Sequence, residues 1–160
     1  MPDGLILREA VPGDEAVVLR FVRDLAEYER LVHLVRATEA DLRASLFGAP
    51  PRAHALIAEF QGTPAGFALW FYCFSTFEGR ASLYVEDVFV EPAHRGRGIG
   101  FAIFRDLARR AVAERCARMD WSVLDWNQPA IDFYHRIGAR PVRGWTVQRL
   151  TGEALAALAT

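Results

Sequence analysis

The sequence predicts a mixed α/β domain, with a mostly antiparallel sheet of six to seven strands flanked by helices. Three observations lead there. Three strand-like stretches follow one another in mid-chain (Ala53–Phe60, Gly66–Phe74 and Leu83–Val90), the pattern of an antiparallel meander. A strand–helix–strand run then continues to Leu124, which implies a crossover and a parallel pairing. Finally, 160 residues with 52% apolar and 24% charged side chains suit one globular domain over 1–160 with a sizeable core.

The elements follow in order. Leu5–Arg8 reads as a first strand. Asp14–Glu29 reads as a helix, because Val18, Phe21, Val22, Leu25 and Tyr28 recur at helical spacing. Thr38 and Asp41 form a capping-box-like start for a second helix through Phe47, with Asp in place of the usual Glu. The first two meander strands are joined by Gln61-Gly62-Thr63-Pro64, a turn-rich link. The third is rich in Val and aromatics. A long helix runs from about Gly98 to Cys116, with Ile99, Ile103, Leu107 and Ala111 on one face. Met119–Leu124 is a strand. Pro129–Ile137 is a helix with Pro in its first turn and Gly138 as its left-handed cap. Pro141–Leu150 holds one or two closing strands, and Glu153–Leu158 a terminal helix.

Composition excludes several functions. The net charge of −1 lacks the basic footprint of a nucleic-acid binder. All 19 basic residues are Arg, so neither a lysine Schiff base nor a Walker-type Lys exists. The longest apolar run, Phe67–Phe74, is too short for a membrane span, and the N-terminus lacks a signal pattern. Cys73 and Cys116 read as buried structural thiols in a reducing, cytoplasmic setting. His33, His54, His94 and His135 lack ligand spacing, and no Gly-x-Ser-x-Gly elbow occurs. Trp70, Trp121, Trp126 and Trp145 read as core or pocket walls.

One stretch does not fit a purely structural reading. In VEDVFVEPAHRGRGIGFAIF (Val85–Phe104), Gly96, Gly98 and Gly100 alternate with Arg97 and Ile99 between a strand and a helix. Glycine lets backbone take positive φ and lie against a ligand. A helix N-terminus offers unpaired N–H groups and partial positive charge. With Arg95 and Arg97, the junction makes a pyrophosphate cradle. A P-loop needs Lys, and Gly-x-Gly-x-x-Gly fails at Phe101. What remains is Arg-x-x-Gly-x-Gly, carried by Arg95, Gly98 and Gly100.

That motif resembles the coenzyme A site of the GCN5-related N-acetyltransferase (GNAT) superfamily. The likeness extends to Asp24–Glu29, LYVEDVFV (Leu83–Val90) and DWNQPAIDFYHRIGA (Asp125–Ala139), which resemble its diamine (spermidine/spermine) and thialysine acetyltransferase branch. It departs at Leu31-Val32-His33, where that branch tends to continue with acids. It departs again at the loop Thr76–Arg80, where Phe77 replaces a common indole.

The resemblance implies the GNAT fold, acetyl-CoA as cofactor, a small cationic amine as acceptor and a homodimer. It implies Glu86 as base through water, Tyr134 as acid toward the thiolate, and Tyr28, Glu29, Glu86 and Asp87 around the amine. Cofactor contacts are implied at Val88, Phe89, Val90, Arg95, Gly96, Arg97, Gly98, Ile99, Gly100, Asn127 and Tyr134. A strand bulge is implied to turn backbone N–H near Val88 toward the thioester. Without a bulge, Glu86 and Asp87 lie on opposite sheet faces. Plain structural alternatives stand beside these roles: a core tyrosine at 134, a helix cap at Asn127 and solvated charge at Tyr28-Glu29. Alternative functions are acetylation of a protein N-terminus or an aminoglycoside, or silent acyl-CoA sensing.

Overall fold

The computed structural model describes residues 1–160. Five strands form one sheet in the order in which they occur along the chain: β1 (Leu5–Glu9), β2 (His54–Phe60), β3 (Thr63–Ser75), β4 (Arg80–Val90) and β5 (Met119–Trp121). The first four pair antiparallel, and β5 joins β4 in parallel. The β2–β3 link is tighter than the sequence suggests. Thr63 already pairs with Phe60, leaving Gln61 (φ 52°) and Gly62 (φ 80°) as a two-residue turn.

Helices cover both faces. Helix α3 (Ile99–Ala113) buries Ile99, Ile103, Leu107 and Ala111 against Leu56, Ala58, Leu83 and Val85. These are the four residues placed on one face by their spacing. On the other face, α1 (Glu15–Tyr28) and α2 (Glu39–Phe47) bury Val18, Phe21, Leu42 and Leu46 with Phe67 and Phe89. Phe21 stacks on Phe67 at 5.5 Å and 8°. The Asp-type capping box forms: Asp41 N–H donates to Thr38 Oγ1 at 3.2 Å, and Thr38 N–H donates to Asp41 Oδ2 at 2.9 Å.

The chain divides into two units, Met1–Leu124 and Asp125–Thr160. The second carries α4 (Gln128–Arg136) and α5 (Gly152–Leu158). Asn127 caps α4, accepting from Ala130 N–H at 3.4 Å, and Gly138 ends it at φ 94°.

Four expectations need correction. Residues 141–150 form no strand, so the sheet has five strands rather than six or seven. Pro141 lacks an N–H donor and Gly144 turns the chain at φ 84°, which interrupts the β-prone run. Trp145, in that segment, is 78% exposed rather than a core or pocket residue, and Trp126 is exposed as well. Strand β5 stops at Trp121, short of Leu124. Cys73 is exposed, near the end of β3 where Tyr72–Phe74 are all exposed, and Cys116, just after α3, is half-buried.

Candidate active site

Strand β4 changes character at Glu86. Leu69 pairs with Asp87 and Trp70 with Val85, so Glu86 is an extra residue with no partner on β3. The bulge resets the side-chain phase. Val85 and Val88, three apart, both pack on the α3 side, whereas Phe89 packs on the α1 side. Asp87 therefore falls on the α1 side with Phe89. Pairing to β5 ends at the same level, since the parallel register covers only Leu83–Met119, Tyr84–Asp120 and Val85–Trp121. Beyond it, the β4 edge from Glu86 to Val90 has no β5 neighbour. An extended ligand bearing amides can pair there as an added strand.

The carboxylates around the bulge are unequal. Glu86 is exposed, whereas Asp87 and Glu29 are half-buried. Burial, then the charges of Glu86 and Glu29, push the Asp87 carboxyl up to about 6. Burial also raises Glu29, the residue that ends α1. The three do not converge as a metal-binding group. They form a negative region whose charge a cation would relieve.

At the far end of β4, Pro92–His94 make one 3-10 turn and lead into the glycine loop. Gly96 (φ 74°) and Gly98 (φ 79°) are left-handed, and Gly98 is the N-cap of α3. A Cβ at Gly96 would meet nothing within 4 Å, so open space surrounds it. The first amides of α3, Ile99 and Gly100 among them, have no intrahelical acceptor. The loop therefore has the shape and polarity that a diphosphate requires.

The flanking arginines both lie over aromatic rings. Arg95 Nε donates to the Val90 carbonyl at 2.9 Å, and its guanidinium lies 4.9 Å from the Tyr28 ring and 5.5 Å from the Phe89 ring. Arg97 lies over Phe60 at 5.5 Å. Beside Arg95, Asp24, Glu27, Tyr28, Phe89 and Glu91 help line a groove of about 550 Å³. Arg20 of α1 hydrogen-bonds Glu91, one of the lining residues.

The chain that folds this way has relatives among known proteins. Residues 19–139 match the acetyltransferase (GNAT) family. Thialysine N-epsilon-acetyltransferases of Bos taurus and Sus scrofa are 39% and 40% identical, each over 97% of both chains. The chain belongs to the GNAT family. A solved structure of an integron cassette protein from the mobile metagenome of V. cholerae superposes with a TM-score of 0.81 at 26% identity, covering 98% of each chain. This GNAT protein is thus an acetyltransferase by family, with the fold of that family.

Within the acetyltransferase, the first unit gathers most of the residues singled out from sequence. Val88, Phe89 and Val90 lie on the open β4 segment, with Arg95 to Gly100 at its end. Tyr28 and Glu29 close α1, and Glu29 interacts electrostatically with Asp87. Asn127 and Tyr134 belong to the second unit, where Asn127 is buried and Tyr134 packs edge-on against Phe133 at 5.7 Å. Sequence reasoning missed that burial and two neighbouring carboxylates raise the Asp87 carboxyl. The available signal was the acid pair inside a Val-rich strand; the bulge that decides between them is a backbone property.

Proposed function

We propose that this enzyme transfers the acetyl group of acetyl-CoA directly to the primary amine of a small cationic substrate, a diamine, a polyamine or a lysine-like amino acid. The open β4 edge, running into the glycine loop beside a partly buried acidic cluster, carries the reading. It gives an activated acyl donor and a cationic acceptor adjoining places to bind. Acetyl-CoA, when bound, supplies the acyl group as a thioester. Val88, Phe89 and Val90 would hold its amide-bearing arm, and Gly96 to Gly100 its diphosphate, with Asn127 and Tyr134 as further contacts.

In this reading Tyr28, Glu29, Glu86 and Asp87 bind the ammonium ion. Glu86, acting through water, removes its proton. The bulge turns the Val88 N–H toward the thioester oxygen. Tyr134 would give its phenolic proton to the sulfur as the carbon–sulfur bond breaks, after the amine nitrogen has bonded to the carbonyl carbon. Asp87 is the second reading for the base, favoured by its raised pKa of about 6, close to an operating pH. The acceptor class is supported by the thialysine enzymes named above and by the excess of carboxylates at the end of α1.

No helix is long and apolar enough to cross a membrane. A cytoplasmic homodimer of one-domain chains, 1–160, with no nucleic-acid partner completes the proposal. The test is a panel of amines with acetyl-CoA and thiol detection: thialysine, lysine, diamines, polyamines, an aminoglycoside and an N-terminal peptide. Turnover confined to the last two would overturn the acceptor class. Tight CoA binding with no turnover on the whole panel would favour a silent sensor. Ping-pong kinetics, or label on Cys73 or Cys116, would overturn direct transfer.

A further inference from the structure

The resemblance places Arg95 in the diphosphate cradle and Tyr28 at the amine, as two separate sites. The geometry links them. The Arg95 side chain is turned away from the glycine loop and spent on α1 and β4. Its Nε donates to Val90 O at 2.9 Å, and its guanidinium covers the rings of Tyr28 and Phe89 at 4.9 and 5.5 Å. A second tether, Arg20 to Glu91, joins α1 to the same stretch one turn before the loop. The element held by both tethers ends in Glu29, whose charge Asp87 feels. Arg95 immediately precedes Gly96, the first left-handed residue of the loop.

We propose that Arg95 is a positioning residue that couples the two substrate sites: it clamps the end of α1, and with it Glu29, to the strand and loop that receive the cofactor. Ordering of Gly96 to Gly100 on a diphosphate steadies Arg95. Arg95 in turn steadies Tyr28 and sets the carboxylates that meet the amine. Cofactor binding therefore favours amine binding, and by linkage the amine favours the cofactor equally. The effect is the size of one exposed cation–π contact, about two- to fivefold in affinity. The proposal rests on the acetyl-CoA reading above but does not depend on which amine is the acceptor.

The test uses hydrogen exchange on the full chain, with CoA alone as the probe, and calorimetry of CoA binding in parallel. CoA is expected to slow exchange of the amides at the end of α1, Tyr28 to Leu31, in the wild type. Arg95→Ala should abolish that slowing while CoA still binds, and Arg95→Lys should restore it in part by keeping the cation over the ring. With an amine turned over by the wild type, Arg95→Ala and Tyr28→Leu should each raise the amine KM about two- to fivefold at saturating acetyl-CoA. The double variant should do no more than either one. Additive effects, or an α1 end indifferent to CoA in the wild type, would overturn the coupling and leave the cofactor assignment standing. A tenfold or larger loss of CoA affinity in Arg95→Ala, with the amine KM unchanged, would make Arg95 a diphosphate ligand instead. No CoA binding to the wild type would remove the acetyl-CoA reading and the coupling together.

Discussion

Replacing Asp87 by Asn should stabilise the protein, and the gain should grow with pH. In the folded chain burial and two neighbouring carboxylates lift this group from an ordinary 3.8 to about 6. A carboxyl raised on folding favours the folded state fully below the unfolded value and loses that advantage as pH rises through the folded one. At neutral pH the ionised form costs the gap between 3.8 and about 6, which at ~1.4 kcal/mol per decade is about 3 kcal/mol. An amide carries no such cost, although its own burial subtracts a constant. Comparing two pH values removes the constant. Between about pH 4.5 and 7.5, Asp87→Asn should gain about 2 kcal/mol relative to wild type, read from urea unfolding followed by circular dichroism. The same variant should lose catalytic efficiency toward a cationic amine, because it removes the charge that the substrate would neutralise. A stability difference that is flat with pH, or that shrinks as pH rises, would refute the burial argument.

Three further outcomes follow from the geometry. Gly98→Ala forces an L-residue to φ 79° at the head of α3 and should cost about 1–2 kcal/mol in unfolding free energy, with weaker CoA binding by calorimetry. Since its Cβ would stand 3.6 Å from Pro2, an ordinary contact, a loss far above that range would point to a clash rather than to backbone strain. Phe67→Ala removes a fully buried ring stacked on Phe21 and should lower stability by about 3–5 kcal/mol in a denaturant titration. Tyr134→Phe should lower kcat by tenfold or more while leaving CoA affinity within about twofold, the signature of a lost proton donor; equal turnover would remove Tyr134 from the chemistry.

How much of this was legible in the sequence depends on which property carries the information. Side-chain periodicity did its part: Ile99, Ile103, Leu107 and Ala111 occupy the buried face that their spacing assigned. The capping box and the glycine loop were legible because each depends on a few neighbours in the chain. The bulge at Glu86 was expected from the family resemblance alone, not from the residues themselves. Any residue type can sit in a bulge, and only the partner strand shows that Leu69 and Trp70 skip one position on β4. The exposure of Cys73 escaped for a related reason: its apolar run reads as core, but burial depends on how far the covering helices reach. Residues 141–150 show the converse error. Their β-branched and aromatic residues indicate strand propensity, and propensity becomes a strand only with a neighbour to bond.

The order β1-β2-β3-β4-β5 bears on how the polypeptide is made. Each strand emerging from the ribosome finds the previous one already available as its mate, joined by a short reversal for β2–β3 and β3–β4. Helices intervene twice: α1 and α2 precede β2, and α3 has to be synthesised and laid across the sheet before Met119–Trp121 can dock. The core in which Leu56, Ala58, Leu83 and Val85 meet Ile99, Ile103, Leu107 and Ala111 is therefore closed only once α3 has been made, after all four antiparallel strands.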